Sequence, residues 1–195
     1  NIITILIGGI ETTAASLSWS MYYLTLYPEW QSRIKAEFDR VVPDLESFSM
    51  AQFDQLVETR AFYDELSRVQ PDAPANSATP YEDVEFDGVT IKAGEPVFVL
   101  TRLAAMAHYP HPEFNPERWL DPAEQSKLLK TIVTFGDGPR ICPGRNLALI
   151  MATLALGVVC SKYQIDYVGE QPPIEITRLI QTSDQMPIKF TPRNV

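Results

Sequence analysis

Phe135-Gly136-Asp137-Gly138-Pro139-Arg140-Ile141-Cys142-Pro143-Gly144 packs three glycines and two prolines around one cysteine. Such a stretch makes a tight loop, and the apolar run that follows it places the thiol just before a helix begins. A thiolate is favoured there by the helix N-terminal dipole and by loop amides directed at sulfur. Arg140, two residues before the cysteine, adds a positive charge suited to a carboxylate. A lone thiolate in an N–H-rich loop is either a nucleophile or an axial ligand to iron. The first role needs a partner base, and no histidine lies near in sequence.

Outward from the loop, residues 145–162 read as a strongly apolar helix, central to the fold and holding Cys160 as a core thiol. Upstream, 108–144 is rich in Pro, Gly and aromatics and reads as loop, apart from a short helix near 122–130; so long an irregular stretch is usually functional. His108 and His111 fall in its Pro-rich start as exposed structural residues. Residues 2–26 form a long apolar helix. Glu11 and the Gly8-Gly9 pair favour a core helix over a membrane span. Pro28 opens a second helix over 28–41 with Trp30, Ile34 and Phe38 on its core face. A short helix lies within 43–56 and a longer one over 57–69, while 71–81 has no period. Val84–Phe86 and Val89–Ile91 flank Asp87-Gly88, a type I′ hairpin signal. A strand or helix entry covers 96–101, a helix follows near 101–107, and strands are expected at 164–168, 174–177 and 187–191.

The chain has 195 residues, with 16 basic and 25 acidic side chains, a net charge of −9. That argues against nucleic-acid binding. The charge is uneven, since residues 1–97 hold 6 basic and 16 acidic groups and the remainder 10 and 9. Two cysteines make no disulfide framework, and with two histidines they give no zinc spacing.

The cysteine loop resembles the FxxGxRxCxG segment of the cytochrome P-450 family, the heme-thiolate monooxygenases, at every fixed position. Other segments follow in the family's order. Glu65-Leu66-Ser67-Arg68 resembles its ExxR, with Glu and Arg on one helix face. Pro116-Glu117-Arg118-Trp119 resembles its PERF/PERW segment, whose arginine would complete a buried Glu65–Arg68–Arg118 network. Gly8-Gly9-Ile10-Glu11-Thr12-Thr13 resembles the (A/G)GxxTT signature of the family's helix I. There the glycines would allow close approach of a ligand and a local opening of the helix. Two family features are missing: a basic residue soon after ExxR, since 69–91 contains no Arg or Lys, and the Asn/His-Arg-Asp-Pro stretch.

The resemblance implies a mainly α fold with small β-sheets (α+β), residues 1–195 being a single partial domain that begins within helix I and lacks the family's N-terminal half. It implies heme b with Cys142 as iron ligand, and Phe135, Gly138, Arg140, Cys142 and Gly144 as cofactor-binding positions. Glu11 and Thr12 become the catalytic pair, Thr12 toward dioxygen and Glu11 as proton relay, while Thr13 packs or bonds back to the helix. The implied partners are a small organic substrate, a reductase or ferredoxin docking near 124–145, and the missing half of the fold. The implied location is cytoplasmic or on the cytoplasmic side of a membrane. A second reading stands beside this one: a truncated or degenerate chain without activity, serving as a heme-binding or interaction fragment.

Overall fold

The computed structural model describes residues 2–108, 113–178 and 180–193; the position of His111 lies outside these. Helices α1 (Ile2–Leu26), α2 (Pro28–Val41), α3 (Met50–Phe53) and α4 (Val57–Val69) come first. Strands β1 (Asn76–Ala78), β2 (Val84–Phe86), β3 (Val89–Ile91) and β4 (Val97–Val99) lead into α5 (Thr101–His108). A 3-10 turn at Pro116–Trp119, α6 (Pro122–Thr131) and a 3-10 turn at Gly138–Arg140 precede α7 (Arg145–Lys162). Strands β5 (Tyr163–Tyr167), β6 (Glu175–Thr177), β7 (Gln181–Ser183) and β8 (Ile188–Pro192) end the chain. The described strands make four two-stranded antiparallel sheets: β1–β4, β2–β3, β5–β8 and β6–β7. The fold is therefore helical with small sheets, as the sequence led us to expect.

Helix α2 starts on Pro28 with Glu29 in its first turn and Arg40 in its last, matching the helix dipole. It buries a stripe of Trp30, Ile34 and Phe38 and packs against α1, α4 and α7. Gly157 of α7 is what lets α2 come close, because a Cβ there would stand 2.0 Å from Phe38 Cδ2. Helix α4 has no cap of its own. Glu37 of α2 supplies one, its carboxylate accepting from Glu58 N (2.8 Å), Thr59 N (2.9 Å) and Thr59 Oγ1 (2.7 Å). Trp19, Leu24, Trp30, Ile34, Phe62, Leu66, Phe114, Leu156 and Ile165 share one core. Truncating a buried residue of this kind to alanine costs about 2–5 kcal/mol.

Several expectations need correction. Residues 71–81 contain a strand, β1, and β7 was not foreseen; both are three residues long and exist only through a partner strand. His108 closes α5 rather than lying in a loop. A core helix over 2–26 holds only from Ala15 onward: Ile3, Ile5, Leu6, Ile7 and Ile10 are more than half exposed, because no described element covers that end. In contrast, Asp87 (φ 48°) and Gly88 (φ 79°) form the expected I′ turn. Among the described residues one helix, α7, is long and apolar enough to cross a membrane. Here it packs against α1, α2 and α4 as the central helix.

Candidate functional site

The cysteine loop is held by its own backbone. Gly136 N donates to Val133 O (2.8 Å), Ile141 N to Gly138 O (3.1 Å), Cys142 N to Phe135 O (2.8 Å) and Arg145 N to Cys142 O (3.3 Å). Gly136 (φ 74°) and Gly138 (φ 61°) take left-handed conformations that a side chain would strain. Asp137 Oδ1 accepts from Gly138 N at 2.7 Å and starts the 3-10 turn. The loop delivers Cys142 exposed, two residues before Gly144, which caps α7. A Cβ on Gly144 would lie 3.8 Å from Cys142 Sγ, so glycine leaves one flank of the sulfur bare. Arg140 is exposed on the same loop, and Phe135 is half-buried at its root. Cys160 is the opposite case, buried in α7 with its thiol pushed up to about 12 by burial.

Behind the loop stands the ion network. Glu65 and Arg68 are fully buried and paired twice, Arg68 Nη2 to Glu65 Oε1 (2.7 Å) and Arg68 Nε to Glu65 Oε2 (2.9 Å). Arg118 Nε lies 3.4 Å from Glu65 Oε1 and donates to Asn115 O (3.0 Å). The structure therefore brings all three foreseen residues together. It adds two donors that sequence reasoning missed, Trp119 Nε1 to Glu65 Oε2 and Asn115 N to Glu65 Oε1, both at 2.9 Å. Trp119 was in view as the last residue of PERW, but nothing in the spacing says that its indole faces a carboxylate. Arg68 and Arg118 both also donate to Glu113 O (3.1 and 3.3 Å). Thr134 Oγ1 donates to Ser67 O (3.2 Å), tying the strand of chain before Phe135 to α4.

Asp64, next to Glu65 on α4, was also missed. Burial pushes its carboxyl up to about 6, while Arg60 and Arg145 pull the other way. Arg145 is the first residue of α7, so this acid sits behind the loop's exit.

On α1, Glu11 is exposed and Thr12 half-buried. Thr12 Oγ1 donates to Gly8 O, so the back-bond expected of Thr13 belongs to Thr12. The helix runs without a break through Gly8 and Gly9. A Cβ at either glycine would meet nothing within 4 Å. Glu11 and Thr12 thus share a turn of α1, apart in sequence from the loop but carried on a helix that packs against α7.

The donor set can be tested against a cofactor. Among the described residues no group of three or more His, Cys, Asp and Glu could hold a metal ion. One exposed thiol suits a metal whose remaining ligands come from a macrocycle, and heme with a cysteine thiolate is that case. The residues present fit heme b: a bare sulfur at a helix N-terminus, a nearby guanidinium, and a rigid ion network behind.

The comparisons point the same way. The family model for Cytochrome P450 matches residues 1–190. Among curated relatives, "Bifunctional cytochrome P450/NADPH--P450 reductase 2" of Bacillus subtilis (strain 168) is 36% identical over 189 residues, 94% of this chain and 18% of that protein. "Cytochrome P450 2J5" of Mus musculus is 31% identical over 174 residues, 86% of this chain and 33% of that one. Among solved structures, a cytochrome P450DA heme domain superposes with a TM-score of 0.88 at 25% identity, covering 99% of this chain and 44% of its own. The chain thus spans about a third or less of these curated relatives. The family match runs from the start of α1 into β8, across every element that builds the site, and the chain belongs to the cytochrome P450 family.

Proposed function

We propose that residues 1–195 form the C-terminal, cysteine-bearing part of a heme-thiolate monooxygenase domain. The complete protein inserts one atom of dioxygen into a small organic substrate and reduces the other to water with electrons from a separate donor. The observation that carries this reading is Cys142, exposed at the α7 N-terminus while Cys160 is buried. When bound, heme supplies the dioxygen activation that side chains lack.

The chain's own residues do the rest. Cys142 Sγ serves as the iron ligand, presented exposed at the N-terminal end of α7. Phe135, Gly138 and Gly144 shape its loop, and exposed Arg140 suits a carboxylate such as a heme propionate. Glu65, Arg68 and Arg118 fix the segment that leads into the loop. Thr12 Oγ1 has its proton committed to Gly8 O and keeps lone pairs to accept another. Glu11, in contact with solvent one residue earlier, takes protons from water and relays them toward that hydroxyl.

Lys127, Lys130, Arg140 and Arg145 against Glu124 and Asp137 leave 124–145 at 4 − 2 = +2 in an acidic chain. An acidic electron donor docks there, and salt weakens it. The exposed Ile3, Ile7, Ile10 and Leu147 favour a second reading for the chain in isolation, an inactive piece whose apolar faces need the rest of the domain. The carbon monoxide difference spectrum tests the main reading. A red-shifted thiolate-type band supports it, and a protein that takes up heme without that band overturns it.

A further inference from the structure

We propose that Asp72, Tyr63 and Ser16 form a second proton path to Thr12, entering from the α4 side of α1 while Glu11 serves the solvent side. This rests on the monooxygenase reading and adds relay residues to it.

The path starts from a contact between two helices. Ser16 Oγ and the Tyr63 hydroxyl share a buried hydrogen bond of 2.7 Å that links α1 to α4. The hydroxyls of Thr12, Ser18, Ser20 and Thr25 donate to carbonyls of their own helix, whereas Ser16 reaches outside it. Ser16 stands one turn from Thr12 on the same face, where side chains four apart have Cβ atoms about 5–6 Å apart. One water spans such a gap between two hydroxyls.

Asp72 supplies the acid. It follows the end of α4 by three residues and is half-buried, in contact with solvent. Its Oδ1 accepts from Ala73 N (2.9 Å). Its backbone O accepts from Gln181 N (2.7 Å), and Gln181 O accepts from Trp19 Nε1 (3.3 Å). These bonds hold Asp72 to the part of α1 that bears Ser16, three residues before Trp19. Burial raises the Asp72 carboxyl above its ordinary range, so it holds a proton nearer neutral pH. Burial also pushes the Tyr63 phenol up to about 12; the Ser16 hydrogen bond opposes this, and the Asp72 and Asp64 charges add to it. Tyr63 is therefore a neutral phenol that accepts one proton while giving another. Asp64 faces Arg60 and Arg145 instead, which leaves Asp72 as the acid of the path.

Reducing one oxygen atom to water consumes two protons with two electrons, and Glu11 alone would have to be reloaded between them. Asp72 gives its proton to the Tyr63 oxygen, Tyr63 gives its own to Ser16 Oγ, and Ser16 gives its own through the water to Thr12 Oγ1. Thr12 passes one on to the oxygen being reduced. Each hydroxyl ends with one proton, and Asp72 regains its proton from solvent.

The test uses the full-length protein that carries this chain, with tyrosine labelled at the ring carbon that bears the hydroxyl. In mixed light and heavy water a slowly exchanging hydroxyl splits that carbon's NMR signal in two, and a fast one leaves it single. We expect one signal for Tyr63, assigned by its loss in Tyr63→Phe, and two in Asp72→Asn. In turnover, Tyr63→Phe and Glu11→Gln should each lower product formed per electron about twofold, and the double variant about tenfold. Ser16→Thr should match wild type, and Ser16→Ala should match Tyr63→Phe. A split Tyr63 signal in wild type, or a single one in Asp72→Asn, overturns the proposal and leaves the monooxygenase reading standing. So does a double variant no worse than Glu11→Gln, in proteins with an intact thiolate-type spectrum. A wild-type protein without that spectrum removes the monooxygenase reading and the path with it.

Discussion

Trp119 Nε1 donates to Glu65 Oε2 at 2.9 Å, so the residue after Arg118 holds the same buried carboxylate that Arg68 grips on α4. Two side chains fifty-four residues apart thereby fasten the Pro116–Trp119 turn to the helix behind the cysteine loop. The carboxylate accepts from Arg68, Trp119 and the Asn115 backbone, and each donor removed leaves it less satisfied in a dry setting.

Trp119→Phe should therefore cost about 1.5–3 kcal/mol, the worth of a hydrogen bond to a charged group. Glu65→Ala should cost about 3–5 kcal/mol, because it removes the buried carboxylate that the Arg68 guanidinium holds at two points. Denaturant midpoints of the full-length protein check both, and a Glu65→Ala protein as stable as wild type would rule out the network's structural role.

Cys142→Ser should abolish the thiolate-type carbon monoxide band, and Cys160→Ser should leave it intact. The buried Cys160 thiol, pushed up to about 12, is neutral at working pH and has no route to a ligand. Equal spectra for wild type and Cys142→Ser would end the assignment.

Thr12→Ala should preserve heme and substrate binding but send electrons into peroxide or water. Loss of an acid–base contact commonly costs about 10²–10⁴-fold in rate. The check is product formed per electron consumed, and an unchanged ratio would exclude Thr12 from the relay.

Asp64 makes stability fall with rising pH. Its folded pKa, raised to about 6 by burial, lies above the ordinary carboxylate value near 3.8. Between those values the folded state binds more protons than the unfolded chain. Stability is thus greatest below about pH 4 on this group's account and declines as pH rises through about 6. Asp64→Asn should flatten that slope in melting temperatures measured from pH 4 to pH 7.

The 195 residues alone, with Ile3, Ile5, Leu6, Ile7, Ile10, Leu103 and Leu147 each more than half exposed, should bind hydrophobic dyes and aggregate. Each such side chain forgoes roughly 1.5–3 kcal/mol of burial, against a net domain stability of about 5–15 kcal/mol. A sharp cooperative melt without dye binding would contradict this expectation.

What the sequence determined by itself was short-range. The stripe of Trp30, Ile34 and Phe38 placed α2 because side chains four apart share a face whatever the rest of the chain does, and long apolar runs placed α1 and α7. Asp87-Gly88 set a turn, and glycines and prolines set the cysteine loop, because both are limits on backbone angles. What only the tertiary structure decided was pairing at a distance. Strands β1 and β7 exist through their partners, the cap of α4 comes from Glu37 on another helix, and Gly157 matters only because Phe38 lies against it. The placing of Trp119 on Glu65 and of Tyr63 on Ser16 belongs here too. Backbone preferences act over a few residues and are written locally, whereas a buried carboxylate or hydroxyl is defined by whatever the fold brings beside it.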